Sequence, residues 1–288
     1  MKTNNTLSND LEWDMIIRPK RNLLDLRLGE LWRYRDLVML FVRRDFVAVY
    51  KQTILGPLWF LIQPLLTTII FTVIFGNIAK LPTDGLPQFL FYMSGTVIWT
   101  YFADCMTNTS NTFVNNSNLF GKVYFPRLAV PVAMLISSLI TFGIQFALFL
   151  VFVGFFALRG TVLHPNWWIA FSPVLILMMA GLGLGFGIII SSLTTKYRDL
   201  RFLVQFGVQL LMYATPVIYP ASSIPARYQM LIQANPMTSI VEAFRYAFLG
   251  AGSVNPMGLL YSFCFMLVVV AIGTVIFNRV EATFMDTV

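Results

Sequence analysis

LAVPVAMLISSLITFGIQFALFLVFVGFFAL, residues 128–158, contains no Asp, Glu, Lys or Arg. A helix needs about 20 predominantly apolar residues to cross the hydrocarbon core of a bilayer, whereas apolar runs of roughly 10–14 residues belong to buried helices of soluble proteins. This run therefore reads as a transmembrane helix. Four further stretches satisfy the same condition: Ile54–Ala79, Leu86–Met106, Trp167–Leu193 and Pro256–Asn278. Phe202–Ala221 is a sixth, interrupted by Gln205 and Gln209 but still long enough.

Composition agrees with bilayer as the solvent. Of the 288 residues 57% are hydrophobic and 11% charged, with a mean hydropathy of +0.73. Soluble domains carry roughly 25% charged residues, and too little polar sequence is present here to coat an apolar core. The expected fold is an all-α membrane protein with six transmembrane helices.

The net charge of +7 could suggest a nucleic-acid binder, but the positions of the charges argue otherwise. Ten of the 20 Lys and Arg precede residue 52, which is a juxtamembrane basic segment rather than a groove-reading patch. No apolar run with a small-residue cleavage site opens the chain, so the N-terminus is expected to stay in the cytoplasm. An even number of spans then returns the C-terminus to the cytoplasm. The segments placed inside hold the first ten basic residues together with Lys122, Arg127, Lys196, Arg198, Arg201 and Arg279, leaving Lys80, Arg159, Arg227 and Arg245 outside. That bias follows the positive-inside rule.

Two regions are neither spans nor ordinary loops. In residues 30–51, Arg33, Asp36, Arg43, Arg44 and Lys51 fall within an arc of roughly 100° at helical spacing, with Leu37, Leu40, Phe41 and Val47 off it; Arg35 and Asp45 break the pattern. The segment reads as an amphipathic helix lying along the cytoplasmic membrane surface. Ser222–Asn255 is too apolar for a loop, and Asn235-Pro236 divides it into halves too short to cross. It is expected to form a re-entrant helical hairpin dipping in from the outer face, the alternative being two interfacial helices lying flat. Glu242 and Arg245, spaced i,i+3, can pair on one face of its second half. The organisation is thus a cytoplasmic segment over 1–29, the interface helix over 30–51 and a permease domain over 52–288.

Conventional chemistry is absent. The single histidine, His164, sits beside Trp167-Trp168 as headgroup-level residues do. Cys105 and Cys264 lie in apolar stretches with no metal-binding spacing. Gly181, Gly183, Gly185 and Gly187 alternate in an apolar span and match neither the dinucleotide fingerprint nor a phosphate loop; they read as helix-packing residues. Asp104 lies near the cytoplasmic end of its span, within reach of water. Ionisable groups deep in the spans are too few for ion-coupled transport. The spans do carry aromatic rings: Trp59, Phe60, Phe71 and Phe75 in the first, Phe206, Tyr213 and Tyr219 in the fifth. Such rings can contact lipid or stack on sugar faces.

Five motifs occur in register. Tyr50-Lys51-Gln52-Thr53-Ile54-Leu55-Gly56-Pro57-Leu58-Trp59 with Gln63-Pro64 resembles the start of the first span in permeases of ATP-binding cassette (ABC) exporters for polysaccharides, O-antigen and teichoic acid, the ABC-2 type. Lys122-Val123-Tyr124-Phe125-Pro126-Arg127 resembles their loop between spans two and three. Tyr197-Arg198-Asp199-Leu200 and Tyr213-Ala214-Thr215-Pro216-Val217-Ile218-Tyr219 are similar to the two ends of their fifth span, and Asn235-Pro236 with Glu242-Ala243-Phe244-Arg245 to their outer hairpin.

The resemblance implies a homodimer with two separate ATPase subunits, in the bacterial inner membrane, exporting a lipid-linked glycan. ATP and Mg would be bound by the partner ATPase, with no cofactor or metal in this chain and no nucleic-acid partner. It further implies that Arg33, Arg43, Arg44, Lys51, Asn118, Lys122, Tyr124, Arg127, Lys196, Arg198 and Asp199 meet the ATPase. The first and fifth spans would line the conduit through Trp59, Phe60, Phe71, Phe75, Phe206, Tyr213 and Tyr219, with Asn235, Pro236, Glu242 and Arg245 in the outer hairpin. The alternatives are an exporter of a drug or small lipid and, from another class, a polytopic glycosyl- or acyltransferase. The latter should show clustered Asp, Glu or His at a membrane face, and the sequence has no such cluster.

Overall fold

The computed structural model describes residues 28–51, 55–120, 125–197 and 199–287, and every regular element among them is helical. Two helices at the N-terminal side, α1 (Leu28–Arg33) and α2 (Arg35–Lys51), precede a 3-10 turn at Gly56–Leu58 and α3 (Trp59–Phe71), which continues as a π-helix over Thr72–Ile78. Next come α4 (Gln88–Ser110), the short α5 (Thr112–Asn115) and α6 (Ser117–Phe120), α7 (Ala129–Leu158), a 3-10 turn at Trp167–Phe171 and α8 (Ser172–Thr194). The chain ends with α9 (Leu200–Tyr213), α10 (Ala226–Gln233), α11 (Pro236–Leu249) and α12 (Pro256–Thr287).

Four helical segments are long and apolar enough to cross a membrane: Gly56–Ile78, Ala129–Leu158, Trp167–Thr194 and Pro256–Val280. The two other expected spans differ in kind. α4 has 23 residues, about 35 Å at 1.5 Å per residue, but it is less apolar because it occupies the centre. Fifteen of its residues are buried, and α3, α7, α8 and α11 all pack on it. A helix walled off from lipid by protein has no need of a wholly apolar surface. α9 has 14 residues, only about 21 Å, and the chain then turns through Thr215–Ile218, which are buried. Pro216 explains the stop, since the residue before a proline is pushed out of helical geometry.

Glycine sets how closely the central helices approach. α8 lies between α4 and α12, and its alternating glycines are two interleaved i,i+4 pairs on two faces. Gly183 and Gly187 touch α4, where an added Cβ would stand 2.5 Å from Cys105 Cβ and 2.5 Å from Thr109 Cβ. Gly181 and Gly185 meet Met266 and Val269 of α12, the latter at 2.8 Å. In lipid no hydrophobic force draws apolar helices together, so backbone approach and dispersion must supply the association.

At one end of the bundle a second core joins distant segments. Val38, Phe41 and Val42 of α2 pack with Phe113, Phe120, Phe125, Ala129, Val130 and Ala133, and with Phe277 of α12. Phe113 stacks on Phe277 at 4.8 Å, and its backbone N–H donates to Ser191 Oγ at 3.3 Å. α2 thus buries a stripe centred on Val38 and Phe41. The stripe is rotated from the expected one: Leu40 is 60% exposed, because α2 faces α7 with one side and leaves Met39 and Leu40 for lipid.

Glycine packing makes a measurable prediction. Gly183→Leu should overpack the α4–α8 contact by about 1–3 kcal/mol and lower the Tm of the detergent-solubilised protein. Gly207→Leu, at a position with nothing within 4 Å of an added Cβ, should leave Tm unchanged.

Candidate functional site

The segment holding α10 and α11 is built around a buried guanidinium. α11 packs against α4, α8, α12 and the turn at Trp167–Phe171, and eleven of its 14 residues are buried. Its start follows from sequence: Asn235 caps it, accepting from Met237 N–H at 3.0 Å, and Pro236 occupies the first turn, where its missing donor is harmless. Gly250 ends it in a left-handed conformation, φ 76°. Asn235 also donates to Thr215 Oγ1 at 2.8 Å, which ties the start of α11 to the turn after α9.

Arg245 is 1% exposed. Its Nη1 donates to Pro216 O at 2.5 Å, Nη2 to Val217 O at 2.6 Å and Nε to Ser94 Oγ at 3.3 Å. The guanidinium carbon lies 3.8 Å from the centroid of Phe91, a cation–π contact inside the fold. Glu242, one turn earlier, is 3.6 Å away and accepts from Ala221 N–H at 3.3 Å. The i,i+3 pair expected from sequence is present, but the carbonyls of Pro216 and Val217 are the closer partners. Those carbonyls follow a helix C-terminus, where a cation is favoured. Gly95 makes room, since a Cβ there would stand 2.7 Å from Arg245 Nη2 and 2.8 Å from Val217 O.

The aromatic residues divide into two sets. Trp59 is 46% exposed on α3, and Phe206 and Tyr213 are 60% and 47% exposed on α9. Phe71 and Phe75 instead pack on the core, edge to face at 5.4 Å, with Phe71 also against Tyr92. Phe60 stacks on Phe46 of α2 at 6.2 Å, and the Tyr219 hydroxyl donates to Tyr213 O at 2.9 Å, satisfying a carbonyl at the end of α9. Both α3 and α9 flank α4, and both leave an apolar, ring-bearing face uncovered.

At the opposite end from the hairpin, the fold gathers the basic residues. Arg33 at the end of α1 and Arg43, Arg44 and Lys51 on α2 are exposed. Arg127 lies over the Phe120 ring at 5.5 Å, while Lys196 sits over Tyr197 at 5.3 Å and Asp199 is exposed at the start of α9. The second core joins α2 to the segment before α7 and to Ile188 of α8, the helix that leads into Lys196. Lys122, Tyr124 and Arg198 lie outside the described residues, as do the side chain of Asn118 and residues 1–27. Sequence reasoning did not find Ser94, Phe91, Gly95 or Thr215; each is an unremarkable residue inside a span or turn and gains meaning only from its distance to Arg245 or Asn235.

A family model described as ABC-2 type transporter matches residues 36–249. An O-antigen export system permease protein, RfbA, of Klebsiella pneumoniae is 27% identical over 253 residues, covering 87% of this chain and 94% of that protein. RfbA of Myxococcus xanthus is 27% identical over 222 residues, 76% and 82% of the two chains. The polysialic acid transport protein KpsM of Escherichia coli is 24% identical over 233 residues, 79% and 86% respectively.

Removing the guanidinium should be worse than removing its acid. Arg245→Met leaves two carbonyls, Ser94 and Glu242 without their partner, a loss of about 3–5 kcal/mol. Glu242→Gln keeps all three donor contacts of Arg245 and should cost less. Thermal unfolding of the purified variants should rank them in that order, and the double variant should be no less stable than Arg245→Met alone.

Proposed function

As the chain belongs to the ABC-2 type transporter family, we propose that it is the membrane subunit of an ATP-driven exporter that moves a lipid-linked polysaccharide, of O-antigen, capsule or teichoic-acid type, out of the cytoplasm. It is a multi-pass protein of the bacterial inner membrane, and in this family ATP hydrolysis is done by a separate subunit. The similarity that carries the cargo assignment is to relatives named for O-antigen export and polysialic acid transport, matched over most of both chains.

In this reading two copies face each other across α3 and α9, whose uncovered rings would otherwise meet only lipid. Two ATPase subunits, binding ATP and Mg, dock on α2, the segment 114–127 and the turn 194–201, the basic end of the bundle. α4 and α9 with its buried turn complete six spans, and α10 and α11 form the re-entrant hairpin on the outer side. Both termini then lie in the cytoplasm. A polymer passing between the copies meets Trp59, Phe206 and Tyr213 in succession. Many weak stacking contacts hold sugar rings without a deep site from which they could not leave.

Cells lacking the chain should still make the lipid-linked glycan but keep it inside, invisible to external lectin or antibody. Combined alanine changes at Trp59, Phe206 and Tyr213 should reproduce that phenotype with the protein still in the membrane. Normal surface glycan with accumulation of a small amphiphile would transfer the assignment to a small-lipid or drug exporter.

Topology has its own test. Ser223 and Ser253 are both exposed at the hairpin end. Single cysteines there, in a background lacking Cys105 and Cys264, should both react with an impermeant thiol reagent added outside intact cells. Reaction of one only from the cytoplasm would mean that the segment between them crosses.

A further inference from the structure

Between α2, α3, α4 and α7 lies a partly open recess of about 590 Å³, within the roughly 300–1,000 Å³ usual for small-molecule sites. Its walls come from apolar spans, yet they present Asp104, Asn108 and Asn111 from the end of α4 and Ser137, Ser138 and Gln145 from α7. Polar side chains within spans ordinarily hydrogen-bond to one another as interhelical glue. One pair does so, Asn108 Nδ2 donating to Ser138 Oγ at 3.2 Å. Others do not. Gln145 is 4% exposed, and its Oε1, like Asn111 Oδ1 and Ser137 Oγ, has no hydrogen-bond partner among the described residues. Buried polar atoms are satisfied in the great majority of cases, so three orphans lining one recess, from the end of α4 and from α7, point to a missing ligand.

The lining chemistry restricts what that ligand is. Arg44, the one basic residue among the described residues lining the recess, is bound to Asp45 at 2.8 Å, so no free cation among them faces the cavity, which disfavours a phosphate. Amide, hydroxyl and carboxylate groups together offer interleaved donors and acceptors, which suit a ring of vicinal hydroxyls. Phe46 and Phe60, stacked on each other, add an aromatic surface of the kind that covers the apolar face of a sugar.

We propose that this recess binds the neutral, polyhydroxylated head of an amphiphile, a sugar ring whose lipid tail remains in the surrounding bilayer. The inference rests on the export reading for its physiological ligand, and places initial recognition at the α2 end, within one protomer and apart from the ring-bearing faces of α3 and α9.

Photolabelling of the full-length chain in lipid nanodiscs tests it, with dodecyl β-glucoside carrying a diazirine beside the headgroup as the probe. The label should appear in peptides containing residues 104–111 or 137–145, and excess unlabelled dodecyl glucoside should displace it while dodecyl phosphate or dodecyltrimethylammonium does not. Asn111→Leu with Gln145→Leu should reduce labelling about tenfold, as expected for two lost hydrogen bonds at roughly 1 kcal/mol each or slightly less. Their Tm should stay close to that of the unaltered protein, because the two oxygens removed had no partner among the described residues and the bond given up, Asn111 Nδ2 to Thr107 O, is a single one at the helix end. Equal labelling by the phosphate or ammonium analogues overturns the proposal, as does labelling that survives the double change. The competition on unaltered protein needs no variant to fold. Failure there with glycan still trapped in the deletion strain removes the recess as a sugar site and leaves the export reading standing.

Discussion

A guanidinium fully enclosed by a membrane protein has to be met on every side, and Arg245 shows what that requirement does to a fold. Desolvating a cation is costly unless donors find acceptors in good geometry. Here the acceptors are Pro216 O and Val217 O, carbonyls that the short α9 leaves free at its end. The two local defects therefore cancel: α9 stops too early to cross on its own, and Arg245 is too polar to bury on its own. Their union fixes α11 against α4 through Ser94 and Phe91. Irregular backbone at depth is tolerated when protein surrounds it, and Arg245 bonds the carbonyls of Pro216 and Val217 within the buried stretch Thr215–Ile218.

From that anchor the rest of the layout follows. With α11 wedged beside α4, α8 and α12, the centre is filled by protein, and the glycine pairs of α8 pull α4 and α12 to close contact. α3 and α9 are left at the periphery. Only 11% of the Gly56–Ile78 span is buried, and Val208 is the single buried residue of α9. A helix so poorly covered in one protomer is left to lipid, another copy or cargo, so the exposed rings on these two helices are available for such contacts while Phe71 and Phe75 are committed to packing.

How much of this the sequence discloses depends on whether a signal is local. Spans with a uniform apolar run, such as Leu128–Leu158, are legible because hydropathy and length suffice. The break between α10 and α11 is legible because Asn235-Pro236 is a local stop and start. The charged arc of α2 is legible too, yet its apolar stripe is misplaced: periodicity tells that a face exists, whereas the choice between Leu40 and Val38 is made by α7 and Phe125. Hydropathy carries the fifth span past Tyr213 to Ala221, since Ala214, Pro216, Val217, Ile218 and Tyr219 keep the run apolar, and only a distant arginine stabilises the turn that ends α9. Glu242 and Arg245 were paired by spacing; that the backbone carbonyls are the nearer partners is information held some thirty residues away. Least legible of all is the polar recess, for Asn111 and Gln145 each look like an isolated polar residue in an apolar helix until α4 and α7 are laid side by side.

Taken along the bundle, the polar and aromatic features are separated in a way that a carrier of long amphiphiles would need. A single deep site holding an entire polymer would bind it too well to release it, because contacts add with every sugar. The fold instead clusters Asp104, Asn111 and Gln145 in one small recess at the α2 end, while the long faces of α3 and α9 offer mainly rings and aliphatic side chains with the neutral amides Gln63, Gln205 and Gln209, and no charged residue between Phe202 and Tyr213. Directional contacts discriminate between ligands, and non-directional ones let a chain slide. On the export reading proposed above, placing the directional groups beside α2, whose outer face carries basic residues, would put recognition of cargo next to the surface through which energy arrives. Coupling between them would then need to travel only across Val38, Phe41 and Val42 into the start of α7, a packed contact rather than a route through the whole bundle.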